Sequence, residues 1–156
     1  MSSTETTATA TSAATKFNPL TLELSRPAAV LWTVVIALVP NLVLWLLALP
    51  AGASFEMTDA GKTTSAAPGG VVVMTVVPLL IGMTLAALIS VKLPAIIRPV
   101  EVIGVVLALA TIILTIQADF DAASTISLSL MHVVVAAAIV VGLEAMRRRI
   151  VRTANV

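Results

Sequence analysis

Cysteine is absent from this chain of 156 residues, which excludes disulfides, thiolate nucleophiles and Cys-ligated metals. The one histidine, His132, cannot build a His-based metal site without carboxylates or a second subunit. Tyrosine is also missing and only two Trp occur, so any aromatic belt at a membrane interface is sparse. Charge is scarce as well. Only 11% of residues are charged and 59% are hydrophobic, whereas a soluble domain holds about 25% charged and about 45–50% apolar residues. A soluble domain of this size has too little interior for so much apolar side chain. The composition therefore specifies an integral membrane protein.

The apolar residues fall into four runs. Residues 1–15 precede them, with nine Ser or Thr and four Ala. Composition predicts a disordered cytoplasmic tail over residues 1–27. The first predicted span is 28–49, whose 22 residues extend ~33 Å, enough for a ~30 Å hydrocarbon core. Pro40 lies inside it and removes a backbone donor. Residues 50–70 are rich in Ala, Gly, Ser and Thr and read as a loop too polar for lipid. Ala51-Gly52-Ala53 resembles a signal-peptidase site, but the preceding run exceeds a usual h-region, so an uncleaved span is expected. The other spans are expected at about 71–90, 100–116 and 126–145, with a Pro-broken connector over 91–101 and a short acidic loop over 117–125. Residues 150–156 read as a basic cytoplasmic tail end.

Four spans place both termini on one side. If that side is the cytoplasm, eight Lys and Arg lie inside and only Lys62 outside. This asymmetry predicts an N-in/C-in, multi-pass protein of the plasma (inner) membrane. Arg147-Arg148-Arg149 reads as an orientation and headgroup anchor, not a nucleic-acid patch. The expected fold class is all-α, an integral membrane four-helix bundle.

Lipid tails do not drive apolar helices together, so small and polar residues mark packing faces. Each span carries such a stripe at helical spacing. They are Thr33, Ala37, Asn41 and Ala48; then Thr75, Pro78, Gly82, Ala86 and Ser90; then Gly104, Ala108, Thr111 and Thr115; and finally Ser129, His132 and Ala136. The polar members gather in the outer half. Asn41 lies ~12 Å and His132 ~9 Å from the outer ends of their spans. A candidate ligand-binding cluster follows, with Asn41 and His132 facing each other, flanked by Ser129 and Thr111. The competing expectation is that each makes a local or interhelical hydrogen bond, contributing about 0.6 kcal/mol. Glu144 is expected to pair with Arg147 or Arg148, and Glu101 lies close to Arg98; both read as ion pairs at the membrane edge.

No nucleophile–base pair, phosphate-binding glycine loop or metal-ligand spacing occurs in the sequence. The expectation is therefore no enzymatic activity, no cofactor and no metal. Expected partners are the lipid bilayer and another membrane protein, or a second copy in a homo-oligomer, with no nucleic acid. The expected role is a structural or accessory subunit. A binder or carrier of a small molecule or of protons, built on Asn41 and His132, is the alternative.

The segment Asp119 through Arg147, with Leu128-Ser129-Leu130-Met131-His132 at its centre, resembles the last helix of a family of small four-helix bacterial membrane proteins of unknown function. The resemblance covers roughly Arg26 to Arg149 and includes Asn41 and the Asp-Ala-Ala-Ser-Thr approach to the last helix. The long Ser/Thr/Ala tail and the Pro-interrupted connector depart from it. The resemblance implies four helices in an inner membrane and no particular activity.

Overall fold

The computed structural model describes residues 22–59 and 61–154. Most of the expected Ser/Thr/Ala tail lies outside them. Four helices in it are long and apolar enough to cross a membrane. The chain reads as a multi-pass membrane protein.

Helix α1 spans Arg26–Ala48, with Pro27 in its first turn, where no intrahelical donor is lost. It continues through Pro40 and closes in a 3-10 turn over Leu49–Ala51. Gly52 then takes φ +86°, and Ala53 N–H donates back to the Ala48 carbonyl. Glycine suits that left-handed position because it has no Cβ to clash.

Residues 50–70 depart from the expected loop. They form an antiparallel hairpin, β1 Glu56–Asp59 and β2 Lys62–Ser65, in the register Glu56 to Ser65 and Asp59 to Lys62. Gly61 in the turn has φ +77°. The hairpin is short and polar on both faces, so it carries no hydrophobic alternation that would reveal a strand in sequence. Its anchor is Phe55, immediately before β1. The Phe55 side chain is completely buried, against Ala48, Ala53, Val71 and Met131.

Helix α2 spans Gly69–Ile89, with Pro78 inside it. The connector that follows α2 is tighter than expected. A 3-10 turn over Pro94–Ile96 leads directly into α3, Ile97–Gln117. Pro99 sits in the first turn of α3, where it interrupts nothing. Helix α4 spans Ala122–Ala154 and runs well past the apolar run, carrying the Arg cluster on its last turns. At the same end, Leu24 N–H donates to the Ala145 carbonyl and Arg152 pairs with Glu23 at 2.8 Å.

The helices pack in the spatial order α3, α4, α1, α2, and α2 scarcely meets α3. The expected compact bundle is therefore a row of helices with one open seam. The seams that do close are built from small residues, as packing in lipid requires. The α1 stripe is confirmed residue by residue, because Thr33, Ala37, Asn41 and Ala48 are all buried. On α4 the buried face is offset from the expected stripe: Ala136 is buried, but Ser129 and His132 are only half-buried, and Ser127, Met131, Ala138 and Gly142 face inward instead. A Cβ built on Gly142 would collide with Thr33 Oγ1, so this glycine sets how closely α1 and α4 approach. The outward faces carry Leu31, Trp32, Val35, Leu107, Ile113 and many similar residues, all exposed. They form an apolar coat suited to lipid.

Candidate functional site

The open seam between α2 and α3 is a cleft of about 630 Å³, within the range of small-molecule sites. Its walls are Met74, Gly82, Gly104 and Leu107, and α4 contributes Met131, Val135 and Ile139. A Cβ on Gly82 would meet nothing within 4 Å. Ser65 and Ala66 at the hairpin base, together with Phe120, line one end of the cleft.

Few polar groups line this surface. Asn41 is 1% exposed, and its Nδ2 donates to Thr75 Oγ1 at 3.0 Å, joining α1 to α2. Asn41 Oδ1 has no partner. An unpaired buried carbonyl is costly, so this oxygen is an unmet acceptor beside the cleft. Thr75 serves as the acceptor in that pair, which leaves its own O–H free to turn. His132 Nδ1 donates to the Leu128 carbonyl at 2.7 Å. In the neutral ring this leaves Nε2 as an acceptor. Trp45 Nε1 and Glu101 Oε2 are also unpartnered, but neither residue lines the cleft.

The structure thus brings Asn41, His132 and Thr111 to one cleft. It does not pair Asn41 with His132; each makes a separate bond, one across helices and one local. Thr111 Oγ1 donates to the Ala108 carbonyl at 2.6 Å, along its own helix. Ser129 lies outside the cleft, and its hydroxyl donates to the Thr125 carbonyl at 2.7 Å. Threonine and serine hydroxyls in helices are commonly satisfied this way. The partner that sequence reasoning left out of the site is Thr75. Its place on the small-residue stripe of α2, in the outer half, was the available signal.

Two clusters frame the cleft. At the hairpin end, Asp121 caps α4: its carboxylate accepts the Ser124 amide at 2.8 Å and the Ser124 hydroxyl at 2.6 Å. It also accepts the Ser54 amide at 3.0 Å and the Ser54 hydroxyl at 2.8 Å, which ties the hairpin to the helix. Phe55 N–H completes the tie by donating to Ser124 Oγ at 2.8 Å. The Ser124 hydrogen bonds, followed by those from Ser54, hold the Asp121 carboxyl far below the usual carboxylate range. A group with a depressed folded pKa stabilises fully above its unfolded pKa of about 3.9 and loses that contribution as pH falls toward the folded value. The thermal midpoint in detergent should therefore drop as pH falls below about 4, and Asp121→Asn should flatten this limb. An unchanged acid limb in the variant would assign it to other carboxylates.

At the opposite end, Glu144 accepts from Arg147 at 2.9 Å and from Arg148 at 3.2 Å. Arg98 lies 3.5 Å from both Glu144 and Glu101, cross-linking α3 to α4. Arg26 donates to the Ser90 hydroxyl at 3.0 Å and to its carbonyl at 3.2 Å, closing α1 onto α2. The Glu144 and Glu101 contacts match the expected ion pairs, and together with Arg26 they fasten two closed junctions, α3–α4 and α1–α2. Among the described residues, no group of three or more His, Cys, Asp or Glu could hold a metal.

No curated protein and no solved structure matches the chain significantly. A family model does match, over residues 23–149, which takes in α1 to α3, α4 except its last five residues, and the whole cleft. The chain belongs to that family, DUF6069, a family of unknown function.

Proposed function

We propose that the protein is a non-catalytic binding protein of the plasma membrane, taking an amphiphilic molecule from the bilayer into the α2–α3 cleft. The observation that carries this reading is the unpartnered Asn41 Oδ1 beside an apolar cleft of ligand size. The hairpin and Phe120 bound the outer end, so the open route is sideways, from the hydrocarbon. A molecule entering that way is itself membrane-soluble. The side chains offer hydrogen bonds and no reactive pair, which favours binding over chemistry.

The orientation that accompanies this reading is N-in/C-in. It rests on the eight-to-one distribution of Lys and Arg between the two sides. A reporter fused after Val156 should be active only in the cytoplasm; activity outside would reverse the assignment.

Gly82 supplies the test of binding. Leucine there has room at its Cβ and would project into the cleft. The wild-type protein, purified from its membrane, should carry a co-extracted amphiphile that mass spectrometry detects and that Gly82→Leu lacks at unchanged thermal stability. Equal recovery from both would sink the proposal. The accessory-subunit reading is the second possibility, favoured by the two glycines, Gly82 and Gly104, that line the seam. In that case a photo-crosslinker placed at Leu107 should capture a protein in native membranes in preference to lipid.

A further inference from the structure

The polar groups of the cleft are specific about what they can hold. Asn41 Oδ1 is an acceptor with no donor, and its amide nitrogen is already committed to Thr75. Thr75 Oγ1 accepts from that nitrogen, so its own O–H remains to be donated. His132 commits Nδ1 to the Leu128 carbonyl, and the neutral ring presents a second acceptor. No Lys or Arg lines the cleft. A carboxylate or phosphate would face unpaired acceptors with no cation to offset its charge, at a depth where charge is expensive. An ester or ketone would leave Asn41 Oδ1 unsatisfied. A hydroxyl satisfies both neighbours at once, donating to Asn41 Oδ1 and accepting from Thr75.

Resting on the binding reading above, we infer that the ligand is an uncharged lipid with a free hydroxyl headgroup. Its hydroxyl sits between Asn41 and Thr75, and its chain lies along Met74, Gly82 and Leu107. His132 Nε2 would take the second donor of a diol head. The apolar walls then discriminate little among chains. Selection comes from the head, because a buried site built to pair a hydroxyl penalises analogues that lack it.

The test uses the full-length protein in lipid nanodiscs. Three probes share one diazirine-bearing alkyl chain and differ only at the head: a primary alcohol, the matching carboxylic acid and its methyl ester. Covalent adducts are mapped by mass spectrometry, and affinity is read from the concentration dependence of labelling. The alcohol should label cleft residues saturably and bind about tenfold tighter than the acid or ester, the factor expected for one buried hydrogen bond. Thr75→Val and Asn41→Leu should erase this preference, the alcohol falling to the level of the ester in the same variant, and Thr75→Ser should keep it. Equal saturable labelling by all three probes would overturn the headgroup assignment and leave the cleft as a binding site. Labelling that is unsaturable for every probe, or identical in Gly82→Leu, would remove the binding site and the headgroup assignment together.

Discussion

Phe55→Ala is expected to lower stability by about 3–5 kcal/mol, the range for truncating a buried phenylalanine. Phe55 is fully buried and fills the core at the hairpin end formed by Ala48, Val71 and Met131, which joins α1, α2 and α4. The hairpin reaches that core through little else apolar, since β2 is exposed along its length. Removing the ring should therefore release the hairpin as well as leave a cavity. Hydrogen exchange at Phe55 N–H and Ala66 N–H, which are bonded to Ser124 and to the Phe55 carbonyl, should accelerate together. The backbone adds a second component. Phe55 has φ +54°, a region where a Cβ costs roughly 1–2 kcal/mol. Phe55→Gly should thus be less destabilised than Phe55→Ala by about 1 kcal/mol, although it removes more side chain. Thermal or denaturant unfolding in detergent measures both. A glycine variant weaker than the alanine variant would show that the backbone is not held in this region.

Gly142→Ala is the second large effect. The added Cβ would overlap Thr33 Oγ1 and press on Met83 Cε at 3.1 Å. Helices α1 and α4 would have to separate, at a cost of about 1–3 kcal/mol for overpacking. Gly142→Leu would exceed that and should disrupt the α1–α4 seam. Thr33→Ala removes the colliding oxygen, so the double variant should be clearly more stable than the sum of the single changes. Simple additivity would mean that the two residues do not touch. Gly82→Ala is the control, with open space around its Cβ. It should be neutral, or stabilising by up to about 1 kcal/mol through helix propensity.

These two glycines show how far the sequence could be read. Gly82 and Gly104 stood out because each precedes an alanine by four residues, the spacing of close helix packing. Gly82 in fact faces the open seam, and the indispensable close contact is at Gly142, which lies outside the stripe expected on α4. A small residue marks a face that avoids crowding. It does not say whether a helix or a cavity lies opposite. The ionic contacts were more legible, because Glu144 with Arg147 and Arg148 lies within one helix and spacing alone brings them together. The hairpin was not legible. Its order comes from the tie of Ser54 and Phe55 to Asp121 and Ser124, about 67 residues away in sequence.

The number of spans, the buried stripe of α1, the segregation of charge and the gathering of polar side chains toward one end all follow from residue type and helical period. Those properties depend on each residue's own transfer from water to lipid, so one chain carries them locally. The order of the helices, the open α2–α3 seam and the partner of Asn41 came only with the tertiary structure. Asn41 and His132 share a cleft, yet the hydrogen bond went to Thr75. The physical reason is that lipid and a neighbouring helix are equally apolar surroundings. Periodicity can show which face turns inward, but the choice among partners rests on close packing and on single hydrogen bonds of under about 1 kcal/mol.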